Sequence, residues 1–282
     1  FELGTFTGWG TFTNAYLETA NPPQFVPNTG NYLVSIFGGF WGVFNASGIF
    51  QSFPANPGEV YEIDAWSRHF SGDALAGVGA PNDNWVVMKI AFFDGSQTEI
   101  GGVERTILDG TYATDVWHDN QPIRGIAPPG TTSVQPLIIY LQPLFGAGAC
   151  HVDDLEFRRA FALGLSQDPA TLDLSIDLGY GAPFAQFGVF YSFDPANGTM
   201  PGMGGTLGGL FIDPVSFNAQ LTAVFNQVPP YGGFLDGAGV TSSTIPGGVV
   251  AGLTGVTVWG LGAQQLSSGA IDFSLINPYT FQ

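Results

Sequence analysis

Residues 160–282 contain no lysine, arginine, histidine, glutamate or cysteine. Seven aspartates and four tyrosines are the only ionisable side chains in those 123 residues. Acid–base and nucleophilic catalysis at neutral pH draw mostly on His, Glu, Lys and Cys. This stretch is therefore expected to carry no reaction, and any chemistry belongs to residues 1–159. Basic residues are scarce throughout: one lysine, Lys89, and five arginines stand against 23 acids, for a net charge of −17. Phosphate backbones and anionic bilayers are bound by clustered Lys and Arg, so nucleic acid and anionic membrane surfaces are excluded as partners. Hard cations such as Ca²⁺, which take carboxylate oxygens, fit this balance instead. Cys150 is alone, so no intramolecular disulfide forms, and the reading for it is a small buried hydrophobe. No run of about 20 apolar residues is present, so no membrane-spanning helix is expected.

Charge of either sign is also low, at 10% of residues against roughly 25% in ordinary soluble domains. Disorder does not follow, because disordered chains are poor in apolar residues and rich in charge. Here 45% of residues are hydrophobic, 25 of them Phe, with 41 Gly and 20 Pro between them. Low lysine with abundant Gly, Phe, Thr and Asn reads as an extracellular composition.

What is present is a succession of short β-type runs punctuated by Gly, Pro, Asn and Asp, the signature of all-β sandwiches. Tyr32–Phe37, Gly48–Phe53, Glu59–Ser67, Trp85–Phe93, Ser133–Leu141 and His151–Phe157 form one set. Ala170–Leu178, Ala185–Phe193, Thr206–Ile212, Ala219–Asn226, Val256–Leu261 and Ile271–Ile276 form a second. Charge usage changes abruptly after Arg158-Arg159, which places a domain boundary there: 1–159 and 160–282. Within Glu59–Ser67, alternation puts Val60, Glu62, Asp64 and Trp66 on one face and Tyr61, Ile63 and Ala65 on the other.

No nucleophile elbow, zinc-protease helix, phosphate-binding glycine loop or calcium-loop motif occurs. Asp115, His118 and Asp119 lie close together in sequence, but the following Asn120-Gln121-Pro122 reads as a polar loop rather than a metal site. The chain is expected not to be an enzyme.

Residues 1–159 resemble the jelly-roll carbohydrate-binding modules of galactose-binding-like type. The matches run in order: Phe1-Glu2 with Gly8-Trp9; Gly30-Asn31-Tyr32-Leu33-Val34-Ser35-Ile36; Gln51 with Asn56-Pro57-Gly58-Glu59-Val60-Tyr61; Trp117 with Pro129-Gly130-Thr131-Thr132; and Val152-Asp153-Asp154-Leu155. The resemblance implies a jelly-roll β-sandwich and a structural Ca²⁺ joining the first strand to the last, with Glu2 and Asp154 as ligands and Asp153 as the alternative. It also implies sugar stacking on exposed aromatics, for which Trp66, Trp85, Trp41 and Tyr112 are candidates, aided by Glu62 and Asp64. Trp9 and Trp117 fall on positions that are structural in such modules.

Residues 161–282 resemble a C-terminal β-domain of secreted and surface proteins of environmental bacteria, through Gly205-Thr206-Leu207, Phe211-Ile212-Asp213-Pro214, Ile245-Pro246, Leu253–Trp259 and Gln264-Gln265. That resemblance implies a second β-sandwich and export, and names no ligand. Two functions are then expected. The first is a structural subunit of a filament, sheath or surface layer, built from copies of itself through unguarded strand edges such as Ala170–Leu178 and Ile271–Ile276. The second is a glycan-binding protein.

Overall fold

The computed structural model describes residues 1–76, 83–199 and 204–282. It is all-β in class, with few helical residues, and the chain divides into two compact units, Phe1–Arg158 and Arg159–Gln282.

The first unit is a two-sheet sandwich. One sheet runs β1 (Gly10–Phe12), β4 (Asn45–Phe50), β10 (Ser133–Gln142), β7 (Trp85–Phe93) and β8 (Glu99–Asp109), with β5 (Phe53–Pro54) also on β10. The other runs β2 (Asn14–Thr19), β3 (Tyr32–Phe37), β11 (Ala149–Arg159), β6 (Val60–Arg68) and β9 (His118–Ile126). Antiparallel register aligns Ile49, Ile138 and Met88 in a row across β4, β10 and β7. These three pack with Val34, Ile36, Ile63, Ala65, Cys150 and Val152 of the facing sheet in one core. Alternation decides which face each strand turns inward: Tyr61, Ile63 and Ala65 of β6 enter the core, leaving Glu62, Asp64 and Trp66 on its other face.

The second unit has a three-stranded sheet, β12 (Ala162–Gln167), β13 (Leu174–Gly179) and β16 (Thr241–Ile245). Against it lies a sheet ordered β15 (Gly232–Phe234), β14 (Gln186–Ser192), β17 (Thr257–Gln265) and β18 (Ile271–Phe273), with β19 (Asn277–Thr280) also on β17. Phe161, Leu163, Ile176, Leu178, Phe187, Val189 and Val258 form the core between them.

Two expected strands of this unit are absent. Ala219–Asn226 falls in a helix, Pro214–Phe225, although Val, Thr and Phe favour strands. The Asp213 carboxylate accepts hydrogen bonds from Val215 N and Ser216 N, and Pro214 occupies the first turn, where its missing N–H costs nothing. The helix then lays Phe217, Leu221 and Val224 on Phe190 and Leu261. Thr206–Ile212 forms only the Leu207–Leu210 bridge, because positive φ at Gly204, Gly208 and Gly209 breaks extension.

Candidate functional site

The outward face of β6 is where the structure gathers most of the expected residues. Glu62 is not free there. It is buried, and its two carboxylate oxygens accept from Arg124 Nε (2.5 Å) and from Arg158 Nη2. A buried carboxylate without such partners would be costly, so Glu62 is committed to holding β6, β9 and β11 together.

Asp64 differs. Opposite it the β6–β9 ladder slips by one residue, since Ile63 pairs with Ile123 and Ala65 with Asn120. The extra residue lies in Gln121-Pro122, and a proline without an N–H suits such a bulge. Asp64 Oδ1 is buried without a hydrogen-bond partner. Burial pushes the Asp64 carboxyl above the usual carboxylate range, and the Asp119, Glu156 and Glu62 carboxylates push the same way. Two residues on, half-buried Trp66 lies opposite Asp119 of β9.

Trp66 borders two clefts. The first, of about 530 Å³, is lined by Asp64 and Trp66 with Phe1, Glu2, Trp9, Asp153, Asp154, Leu155 and Glu156. Phe1 packs on Trp9 with ring centroids 5.0 Å apart. The second, of about 520 Å³, is lined by Trp66, Tyr112, Trp117 and His118 together with Arg105, Asp119 and Gln121. Tyr112 meets the His118 ring edge-on at 5.1 Å, and Trp117 donates through Nε1 to Val26 O (3.0 Å).

Residues 21–31 are fastened beside these clefts. Buried Arg68 donates to Gln24 O (2.8 Å) and to Asp115 Oδ1 (3.1 Å), and its Nη1 lies 3.3 Å from His151 Nδ1. A guanidinium only donates, so Nδ1 accepts and the imidazole is neutral, with its proton on Nε2. Burial and then the Arg68 charge hold His151 down at about 4.

At the far end of the same segment, Asp153 Oδ2 accepts from Asn28 N (2.7 Å) and Thr29 N (3.2 Å). Asp154 accepts from Asn28 Nδ2 (2.8 Å) and Thr29 Oγ1 (2.5 Å), and Glu2 accepts from Asn31 N (3.0 Å). Gly30 is required here: at φ +60 it lets the Glu2 carboxylate approach so closely that a Cβ would lie 2.0 Å from Oε2. Glu2, Asp153 and Asp154 thus meet one loop, and each of the three carboxylates accepts from its N–H or O–H donors. Among the described residues no three His, Cys, Asp or Glu side chains stand close enough to hold a metal together. The donor set does not fit a calcium centre made from these three acids.

The remaining candidates lie elsewhere. Trp85 is on β7 of the other sheet, and Trp41 projects from the loop before β4. Asp115 pairs with Arg68, His118 Nε2 bonds to Ala113 O, and Asn120-Gln121-Pro122 is not a loop but part of β9. Nothing in the sequence marks Arg105 or Glu156, Asp119 and Gln121 read there as a polar stretch without a ligand, and Trp9 and Trp117 as framework. These lie on strands whose alternation is blurred by charge and glycine, or on the loops between them.

Fold and clefts define an antiparallel β-sandwich with ligand-sized, aromatic-walled recesses on the two sides of Trp66. No protein-family model matches the sequence, and no curated protein matches it. Among solved structures, the chain is similar to TmCBM61 in complex with β-1,4-galactotriose, at 18% identity over 56% of this chain and 93% of that one, TM-score 0.38. It is also similar to the enzymatically active domain of tailspike protein 4 of bacteriophage CBA120, at 13% identity, TM-score 0.39, over 56% of this chain and only 20% of that one. A third is the CBM22-1–GH10 portion of Clostridium thermocellum xylanase 10B complexed with xylohexaose, at 15% identity, TM-score 0.35, over 55% and 26% of the two chains. At these TM-scores the clefts themselves must carry any functional reading.

Proposed function

We propose that the N-terminal unit binds a glycan, without cleaving it, along the outward face of β6 and β9, in an extracellular setting. The observation that carries this is the position of Trp66 between two clefts whose walls alternate aromatic rings with polar side chains. Pyranose rings present apolar C–H faces and a rim of hydroxyls. Trp66, Tyr112, Trp117 and Trp9 supply flat apolar surfaces for the faces. Asp64, Glu156, Arg105, Asp119 and Gln121 supply acceptors and donors for the rim. Glu62 stiffens the strand beneath without touching ligand. Of the two functions expected from the sequence, this is the one that a described site supports; the filament reading draws nothing from these clefts.

The test is a glycan-array screen followed by calorimetry with the best ligand. Trp66→Ala is expected to weaken binding by about tenfold or more, as loss of a central aromatic anchor does. The ligand is expected to be recovered unshortened. Indifference of the whole protein to every glycan offered would remove the proposal.

A further inference from the structure

A second surface on the first unit has no part in the clefts. The loop 38–44 and the loop 143–148 lie side by side, joined by the pairing of Asn45 with Gln142. Trp41, Val43, Phe44 and Phe145 are 60–62% exposed, and Phe40 and Leu144 are exposed beside them. They form one patch: the Phe145 ring covers Gly42, and Phe44 reaches Trp85 with ring centroids 6.3 Å apart.

This patch is held rigidly. Gln142, fully buried, accepts from Phe40 N (2.7 Å) and Asn45 Nδ2 (3.1 Å) and donates to Gly146 O (2.7 Å). Asn45, also buried, accepts from Gly39 N (2.8 Å) and donates to Val43 O (3.0 Å). Phe40 is kept at φ 55, a left-handed conformation that bulky residues avoid and keep only where the surroundings enforce it. Two buried amides thus fix the backbone of loops whose apolar side chains point away from the core, an arrangement that does nothing for the core itself.

We propose that this patch is a self-association surface, patch against patch, between two copies of the chain. It goes beyond the glycan reading and does not depend on it. Residues 38–48 and 142–149 contain no charged residue, whereas the chain as a whole carries −17. Two copies meeting here bring no like charges into contact, and a two-fold axis makes the patch its own complement. The exposed fractions correspond to on the order of 600 Å² of apolar surface per copy, given the size of aromatic side chains. Two copies would bury about 1,200 Å², the lower end of specific interfaces, which suits a reversible dimer. A soluble monomer rarely exposes a contiguous apolar patch above about 600 Å². Sugar is a poor occupant, because the polar side chains of these loops are spent inward. A bilayer is a poor one too, since no Lys or Arg flanks the loops to meet headgroups.

Sedimentation velocity of the whole protein over roughly 1–100 µM, the range of a weak interface of this size, tests it. The wild type is expected to pass from monomer to dimer. Trp41→Ser with Phe145→Ser is expected to move the midpoint by at least about tenfold, as loss of central aromatic anchors does. The control Phe184→Ser, at a still more exposed phenylalanine of the second unit, is expected to leave the midpoint unchanged. A wild type that stays monomeric throughout, or association untouched by the double variant, overturns the proposal. So does flotation of the wild type with phosphatidylcholine vesicles that the double variant loses, which would give the patch to a bilayer. Unchanged thermal unfolding of the double variant shows that a lost dimer reflects the surface and not the fold.

Discussion

His151 and Arg68 share one buried site, and only one of them is charged. The neutral imidazole accepts from the guanidinium, and burial holds its folded-state pKa at about 4, below the ordinary 6.5. A depressed pKa means that the unfolded chain takes up the proton first as pH falls. The stability from the neutral ring is thus fully present above pH 6.5 and is lost as pH falls towards 4. The shift corresponds to about 3 kcal/mol. Asp64, Asp73 and Asp153 act in the opposite sense, because burial raises their carboxyls and acid relieves that cost. Comparison of the wild type with His151→Gln by urea unfolding between pH 7 and 4 isolates the histidine. The difference between the two should change across that interval, and a constant difference would remove the assignment. Glu62 gives a second test at this scale. Glu62→Gln is expected to cost about 3 kcal/mol, because it leaves Arg124 beside a neutral partner in a largely buried setting. Arg158→Ala should cost under about 1 kcal/mol, since that guanidinium is mostly exposed.

Strands with clean alternation were readable, and those with mixed signals were not. Tyr32–Phe37 and Trp85–Phe93 have the bounds that their apolar runs predict. The β8 strand Glu99–Asp109 does not show in the sequence pattern because Gly101-Gly102 and four charged residues interrupt it, although Lys89 pairs with its Glu99 at 2.8 Å. Helix Pro214–Phe225 stands where Val, Thr and Phe predict a strand, because the Asp213 cap and Pro214 start a helix just ahead of them. Asp213→Ala should speed amide exchange in the first helical turn and leave the sheets unaffected. Equal exchange in the two proteins would show that the cap is idle. The segment Asn28–Asn31 makes the corresponding case for calcium. Its donors already serve Asp153, Asp154 and Glu2, so millimolar calcium or chelator should shift the midpoint of thermal unfolding by less than about 2 °C, corresponding to about 1 kcal/mol or less. A rise well beyond that would place the ion there after all. Of the site, alternation predicts that Glu62, Asp64 and Trp66 share one face of β6, and the strand carries them there. Burial of Glu62 between two arginines was not, because no local pattern on β6 reports what β9 and β11 bring to it.

The two units should answer pH differently. Residues 160–282 hold no histidine and no cysteine, the side chains that ordinarily change charge between roughly pH 5.5 and 9. Hydrogen exchange followed by mass spectrometry should show protection in β13, β14 and β17 constant across that range. Protection in β6 and β11 should weaken as His151 is titrated. A second unit that loosened between pH 9 and 6 would show that it borrows stability from groups outside itself.

The last basic residues, Arg158 and Arg159, stand where the units divide, with Arg159 5.1 Å above the Tyr180 ring. A protease that cuts only after lysine or arginine therefore has no target beyond that point, whether the second unit is folded or open. Tryptic digestion under conditions that loosen the first unit should cut that unit into fragments of 68 residues or fewer, since Arg68 is its first target. It should release the other 123 residues as a single intact piece.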